Sequence, residues 1–141
     1  MKLKLIGIAV AFAVAGSAYA QTDRKVKNAE EDKIEAQYKA DKARCDAMTG
    51  NAKDVCVKEA KGKETIGKAE LNAKADPSER NQRKVQEAKA EAAYDVAKER
   101  CDDLKGNEKD ACQKDAKAQH EKAKASLERR QSSSGSSTTA R

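Results

Sequence analysis

The sequence predicts an all-α protein built from two tandem helical hairpins, each closed by a disulfide, in an extended or loosely packed antiparallel bundle. Three observations support this prediction. Charged residues make up 38% of the chain and aromatic residues only 3%, and such Ala-, Lys- and Glu-rich composition favours long helices around a thin core. One segment is repeated. The chain has an even number of cysteines, four.

The N-terminus has the pattern of a cleavable secretory signal over residues 1–20. Early lysines precede an apolar run over 5–15, and small residues follow, ending in Ala-Tyr-Ala at Ala20. This is the motif that signal peptidase recognises, so we expect cleavage before Gln21. The alternative is a membrane anchor, but the apolar run falls short of the roughly twenty residues needed to span a bilayer. We therefore expect a periplasmic protein with no membrane span after cleavage.

The strongest pattern after the signal is an internal duplication, in which segment 31–71 aligns on segment 87–127 without a gap. Matches of Ala, Lys and Glu carry little weight in this composition. The rarer matches are Tyr38/Tyr94, Arg44/Arg100, Cys45/Cys101, Asp46/Asp102, Gly50/Gly106, Asn51/Asn107, Asp54/Asp110 and Cys56/Cys112. The duplication indicates one supersecondary unit used twice.

Each unit is predicted to form two helices joined by a tight turn. Gly50 suits the residue after a helix, where a left-handed conformation is needed. Asn51 then suits an N-cap, with Asp54 three residues on as in a capping box. The second unit repeats these three turn residues as Gly106, Asn107 and Asp110.

The two units meet at Asp76, which we expect to be an N-cap, with Pro77 at the first helical position and Glu79 at the third. The predicted helices are 24–49, 52–75, 77–105 and 108–130. They define a first hairpin over 21–75, a second over 76–130 and a disordered Ser-rich tail over 131–141. The sequence leaves open whether the hairpins pack together or swing about this joint.

The cysteines are expected to form disulfides, as is usual in exported proteins. On one continuous helix Cys45 and Cys56 would stand ~16 Å apart, whereas a reversal at the Gly50 turn brings them level. The economical pairing is therefore Cys45–Cys56 and Cys101–Cys112. A zinc site or a redox pair is the alternative, but the spacing matches neither usual motif. We predict no metal ligands and no cofactor.

Two apolar stripes are expected to pack against the partner helices. They contain Ile34, Tyr38, Cys45 and Met48 in the first unit, and Ala90, Tyr94, Cys101 and Leu104 in the second. The single histidine, His120, has no counterpart in the first unit, where Glu64 stands. We predict it to be an exposed surface residue.

Acids and bases alternate along the chain, whose formal net charge is +6. Many acids precede a base by four residues, a spacing that stabilises solvated helices. These predicted pairs are Glu35–Lys39, Asp54–Lys58, Glu59–Lys63, Glu64–Lys68, Glu70–Lys74, Glu79–Arg83 and Asp110–Lys114. Without a basic cluster or stacking aromatics, we expect no nucleic-acid binding.

The repeated pattern Tyr38…Arg44-Cys45-Asp46…Gly50-Asn51-Ala52-Lys53-Asp54-Val55-Cys56-Val57-Lys58-Glu59-Ala60-Lys61 resembles a family of small exported proteins of proteobacteria. Its members are often labelled TolA-like or cell-envelope biogenesis proteins. The resemblance covers about residues 31–127. It implies an Ala/Lys/Glu-rich helical protein of the cell envelope.

No catalytic residues are predicted, because no nucleophile–base pair, paired carboxylates or phosphate loop recurs in the two units. The first functional hypothesis is therefore a non-enzymatic envelope protein, a helical spacer or coiled-coil-like adaptor with a protein partner. The second is a periplasmic stress protein that binds unfolded clients like a chaperone. A thiol-based metal buffer is a lesser alternative. The thin apolar stripes would also allow a homo-oligomer.

Overall fold

The computed structural model describes residues 16–136, with side chains described over 26–133. The helices are α1 Gly16–Asp46, α2 Gly50–Ala75, α3 Glu79–Arg100 and α4 Gly106–Ser136, and a 3-10 turn, Cys101–Asp103, follows α3. No strand occurs in this part of the chain. The predicted all-α fold with two hairpins is confirmed.

Of the predicted helix boundaries only residue 75, the end of the second helix, agrees with the structure; the others differ by two residues or more. Helix α1 includes Gly16, the first residue that the structure describes, so the predicted cleavage point after Ala20 lies within this helix. Cleavage stays a prediction, and residues 1–15 of the signal lie outside the described residues. Helix α4 extends to Ser136, so residues 131–136 of the predicted tail are helical in the structure. The disorder of the tail stays a prediction, and residues 137–141 lie outside the described residues. The Ser132 and Ser133 hydroxyls each donate a 2.9 Å hydrogen bond to a carbonyl one turn back, which is how serine can be accommodated in a helix.

The helices pack in chain order, α1 on α2, α2 on α3 and α3 on α4. The most extensive of these interfaces is α2–α3, which joins the two hairpins. Within the described residues, α1 and α4 make no extensive contact with each other. The two hairpins therefore pack together in an open array, with α1 and α4 at its outer edges.

A glycine sets the approach of the two hairpins. A Cβ atom added to Gly62 on α2 would lie 2.8 Å from the Cβ atom of Ala92 on α3. Real Cβ atoms do not approach so closely, so any larger residue at 62 would push the helices apart. Inside the first hairpin, Gly67 similarly receives the side chain of Ile34, whose atoms would lie 3.4 Å from an added Cβ.

The joint between the hairpins is fixed by local hydrogen bonds. The N-cap of α3 is Ser78, whose hydroxyl accepts from the Asn81 backbone N–H at 3.4 Å. The Asn81 side chain in turn donates to the backbone and carboxylate oxygens of Asp76, at 2.9 and 2.8 Å. The predicted N-cap at Asp76 is therefore wrong: this residue closes α2, Pro77 lies outside both helices, and Glu79 is the first residue of α3.

The apolar core is thin, as the composition predicts. Its buried members are Cys45, Ala60, Leu71, Val85, Cys101 and Ala116. No described helix combines the length and the hydropathy that a membrane crossing requires.

Ion pairs between helices supplement this core. Glu64–Lys68 forms within α2 as predicted, at 2.7 Å. Other charges with a predicted partner in their own helix instead reach a neighbouring one, because a thin core brings the edges of adjacent helices within reach. These pairs include Glu30–Lys74 at 2.8 Å, Glu59–Arg100 at 2.7 Å, Glu70–Lys89 at 2.7 Å and Asp41–Lys63 at 3.6 Å.

Candidate functional site

The two disulfides form as predicted, one in each hairpin. Cys45 and Cys56 have Cα atoms 5.4 Å apart, and Cys101 and Cys112 have Cα atoms 5.6 Å apart. Both distances lie inside the usual disulfide range. Cys45 and Cys101 are fully buried, and no cysteine is free. All four sulfurs are thus used in covalent links within the two hairpins.

The turns beside the disulfides use glycine as predicted but not asparagine. Gly50 and Gly106 have φ values of 60° and 55°, the left-handed region that glycine enters without strain. Helix α2 already begins at Gly50, preceded by Thr49 in the N-cap position. The prediction of Asn51 as N-cap is therefore wrong.

The Asn51 amide lies just inside α2 and donates a 3.0 Å hydrogen bond to the backbone carbonyl of Glu99 on α3. This residue therefore links the two hairpins. In the second turn, α4 likewise begins at Gly106, and its equivalent, Asn107, is exposed at the outer edge of the array. The acids predicted to complete the capping boxes, Asp54 and Asp110, are both exposed.

An ion pair crosses each turn at the same place in the repeat. Asp46 pairs with Lys53 at 3.0 Å in the first hairpin, and Asp102 pairs with Lys109 at 2.7 Å in the second. The hydrogen bond from Lys109 holds the pKa of Asp102 below its ordinary value, with a smaller contribution from Gln113. Each turn is thus closed by a covalent link and an ionic link.

Two carboxylates are buried in the first hairpin. Asp41 on α1 is 6% exposed and accepts hydrogen bonds from Gln37, at 2.9 Å, and from Arg44. Glu64 on α2 is 8% exposed. A shallow cavity of about 320 Å³ lies beside both, lined also by the ring of Tyr38.

Glu64 is held ionised by two lysines of its own helix. Lys61 and Lys68 donate to its two carboxylate oxygens at 2.8 and 2.7 Å. These hydrogen bonds, that from Lys61 foremost, lower the pKa of Glu64 although burial opposes them, and the pKa of Lys68 is raised in return. Lys61 also lies 5.4 Å from the centre of the Tyr38 ring, within cation–π range.

The second hairpin replaces both carboxylates. Ala97 stands at the position of Asp41, and His120 at that of Glu64. The His120 ring stacks on Tyr94 with 4.7 Å between ring centres, its Nδ1 lies 3.4 Å from the Ala90 carbonyl oxygen, and its Nε2 lies 3.4 Å from Glu91. Its side chain is only 11% exposed. The prediction of an exposed His120 is wrong, because the ring has an aromatic partner across the hairpin.

The prediction that two apolar stripes pack against the partner helices is wrong at the end of each stripe nearest its turn. Met48 and Leu104 are 47% and 37% exposed, because α1 and α3 end before reaching them and both lie in the turns.

Beside the second turn, an open groove of about 550 Å³ has a largely apolar lining that includes Ala97, Leu104, Ala111 and the Cys101–Cys112 disulfide. In the part of the chain described, no group of three or more His, Cys, Asp or Glu side chains is arranged to hold a metal ion.

No protein-family model, no curated protein and no solved structure matches this chain.

The sequence did not reveal which residues join the two hairpins. Asn51, Gly62 and Arg100 all contact the neighbouring hairpin, and two of them lie in or beside the repeated turn motif. A glycine inside a strongly helical segment is the signal that could have identified Gly62, because such a residue usually has a packing reason. The buried Asp41 could have been noticed as a charge that the second unit replaces by Ala97.

Proposed function

We propose that this chain is a non-catalytic protein of the bacterial cell envelope, exported through its N-terminal signal, that acts as a rigid helical spacer or adaptor. The observation that carries the proposal is the way each helix is tied to the next. Disulfides join α1 to α2 and α3 to α4. The Gly62–Ala92 approach and the Glu59–Arg100 ion pair join α2 to α3.

This construction fits a spacer because it gives rigidity without a large core. Each disulfide closes a loop of about a dozen residues and stabilises the folded state by roughly 2–4 kcal/mol. This contribution is large for a chain with so few buried apolar side chains. The disulfides also suit an oxidising compartment such as the periplasm. The outer surfaces, rich in Lys, Glu and Ala, remain available to a protein partner.

Export is tested by expressing the gene in a Gram-negative host and separating periplasm from cytoplasm. We expect the protein in the periplasmic fraction, with a mass that corresponds to a chain starting at Gln21. A variant lacking residues 2–20 is the matched control and should stay in the cytoplasm. Recovery of the full chain in the cytoplasm, with the signal uncut, would contradict the proposal.

Rigidity is tested by distance measurements across the whole array. Spin labels attached through non-natural amino acids at the exposed positions Lys42 on α1 and Glu121 on α4 avoid the cysteines. We expect a single narrow distance distribution, and a broad one after the Gly62→Leu substitution. A broad distribution in the unsubstituted protein would rule out a rigid spacer.

The chaperone-like alternative has less support from the surface. The large apolar side chains exposed among the described residues are Val26, Met48 and Leu104, and scattered exposed apolar residues of this kind are ordinary in folded proteins. We therefore expect no suppression of aggregation when the protein is mixed with an equimolar unfolded client. Clear suppression at that ratio would make client binding the leading function.

A further inference from the structure

The two helices that form the interface between the hairpins, α2 and α3, each have a sequence copy at an outer edge of the array. Helix α2 contacts α3 through one face, and α4 is the copy of α2 in the second unit. Helix α1 is likewise the copy of α3. A solenoid built from such units would continue by placing α1 of the next unit on α4. Both outer helices expose the corresponding faces.

The copied faces are the faces of α4 and α1 that correspond to the contacting faces of α2 and α3. They keep, at equivalent positions, an acid and a base like those of an internal ion pair. In the internal interface Glu59 of α2 pairs with Arg100 of α3 at 2.7 Å. The equivalents are Asp115 on α4, which is exposed, and Arg44 on α1, whose side chain is 71% exposed although it also donates a hydrogen bond to Asp41. The acid and the base are thus kept at equivalent places on opposite edges of the chain, where an intramolecular pairing of the two is prevented by the helices between them.

The copied faces also keep small residues and the asparagine, although the Cβ atom of Ala118 requires a wider helix spacing than Gly62 permits. Gly62 and Ala92 correspond to Ala118 and Ala36, both small and both exposed. Asn51, which donates to the Glu99 carbonyl at 3.0 Å, corresponds to the exposed Asn107. Its acceptor would be the backbone carbonyl of Ala43, which does not depend on the side chain present.

We propose that a second copy of this chain docks head to tail on the first, with α1 of one molecule against α4 of the other. The contact uses the faces equivalent to those of the α2–α3 interface, at a wider helix spacing, and pairs Asp115 with Arg44 of the neighbouring molecule. Because such a heterologous contact leaves one free edge on each side, it generates open linear arrays rather than closed dimers.

The association is weak and depends on ionic strength, because the outer helices lack larger apolar residues at helical spacing from the positions of Gly62 and Ala92. Ile66 and Val55 on α2 are replaced by Lys122 and Ala111 on α4, and Val85 on α3 by Ala29 on α1. Charge pairs then supply most of the attraction, and salt screens them.

The test is sedimentation velocity of the mature protein with both disulfides formed, over a hundredfold range of concentration. At low salt we expect the weight-average sedimentation coefficient to rise with concentration, and this rise to disappear at 0.5 M NaCl. Asp115→Arg should abolish the rise, because it places like charges in contact, and Arg44→Asp should do the same although it also removes a hydrogen bond to Asp41. Mixing the two variants should restore it, because the new Arg and Asp then face each other.

A matched control makes the same charge change outside the proposed contact. Glu121→Arg on α4 lies at the position of the exposed Thr65 in the first unit, so it should leave association unchanged. The helical content of every variant, measured by circular dichroism, should equal that of the parent, and the exposed Asp115 provides a variant that cannot disturb the core. A chain that remains monomeric throughout, or an association that Asp115→Arg leaves intact or that Glu121→Arg abolishes equally, would overturn the proposal.

Discussion

Glu64 and His120 occupy the same position in the two hairpins but have different partners. Glu64 is held between Lys61 and Lys68, whereas His120 stacks on Tyr94. The second hairpin nevertheless keeps both flanking lysines, as Lys117 and Lys124. The local sequence of the second unit is therefore able to hold a carboxylate where the histidine now lies.

The substitution His120→Glu should be tolerated. We expect the new carboxylate to accept hydrogen bonds from Lys117 and Lys124, and the free energy of unfolding to change by less than about 1.5 kcal/mol, since the lost aromatic contact is worth about 0.5–1.5 kcal/mol. Urea unfolding at pH 7 measures this change. His120→Leu, which offers no acceptor, is the control. A much larger loss for the glutamate than for the leucine would show that the lysines do not take up the carboxylate.

The close approach of Gly62 to Ala92 predicts a marked effect of a larger side chain on α2. Gly62→Leu should lower the free energy of unfolding by about 1–3 kcal/mol through overpacking, even though leucine is the better helix former. Ala118→Leu at the equivalent exposed position is the control and should be close to neutral. Thermal unfolding monitored by circular dichroism compares the two. Equal effects of both substitutions would mean that Gly62 does not set the spacing of the hairpins.

Much of the fold could be predicted from the sequence, because it depends on local chemistry. The positive φ of Gly50 and the pairing of Cys45 with Cys56 follow from a turn motif and from the reach of a hairpin. The contact between Asn51 and Glu99 could not be predicted, because it depends on how two hairpins meet. The same holds for the stacking of His120, which depends on a ring that lies on another helix.

Removal of the two disulfides should have unequal local consequences. Each double substitution, Cys45→Ser with Cys56→Ser or Cys101→Ser with Cys112→Ser, should lower the free energy of unfolding by roughly 2–4 kcal/mol. Helix α2 packs on both α1 and α3, whereas α4 packs extensively only on α3 within the described residues. Amide hydrogen exchange should therefore rise more in α4 after the second pair of substitutions than in α2 after the first. The reverse order would contradict the open array.

Stability should decline in acid through Glu64. Its pKa is lower in the folded protein than its ordinary value, so its ionised form stabilises the fold above the unfolded pKa, and this contribution is lost as pH falls through the folded pKa. Glu64→Gln should remove that part of the acid dependence. Urea unfolding from pH 7 down to pH 2.5 measures it, with the exposed Asp54→Asn as control. The depressed pKa of Asp102 leaves a remaining acid dependence in the variant. Identical pH profiles for Glu64→Gln and the parent would exclude the lysine-held carboxylate.

The central claim, an exported protein of two separately closed hairpins, is tested most directly by disulfide mapping. Protein from the periplasm is alkylated before lysis is complete, digested without reduction and analysed by mass spectrometry, which also identifies the first residue. We predict Cys45–Cys56 and Cys101–Cys112 linkages, no alkylated cysteine and an N-terminal peptide that starts at Gln21. Free thiols, or links between Cys45 or Cys56 and Cys101 or Cys112, would contradict the account.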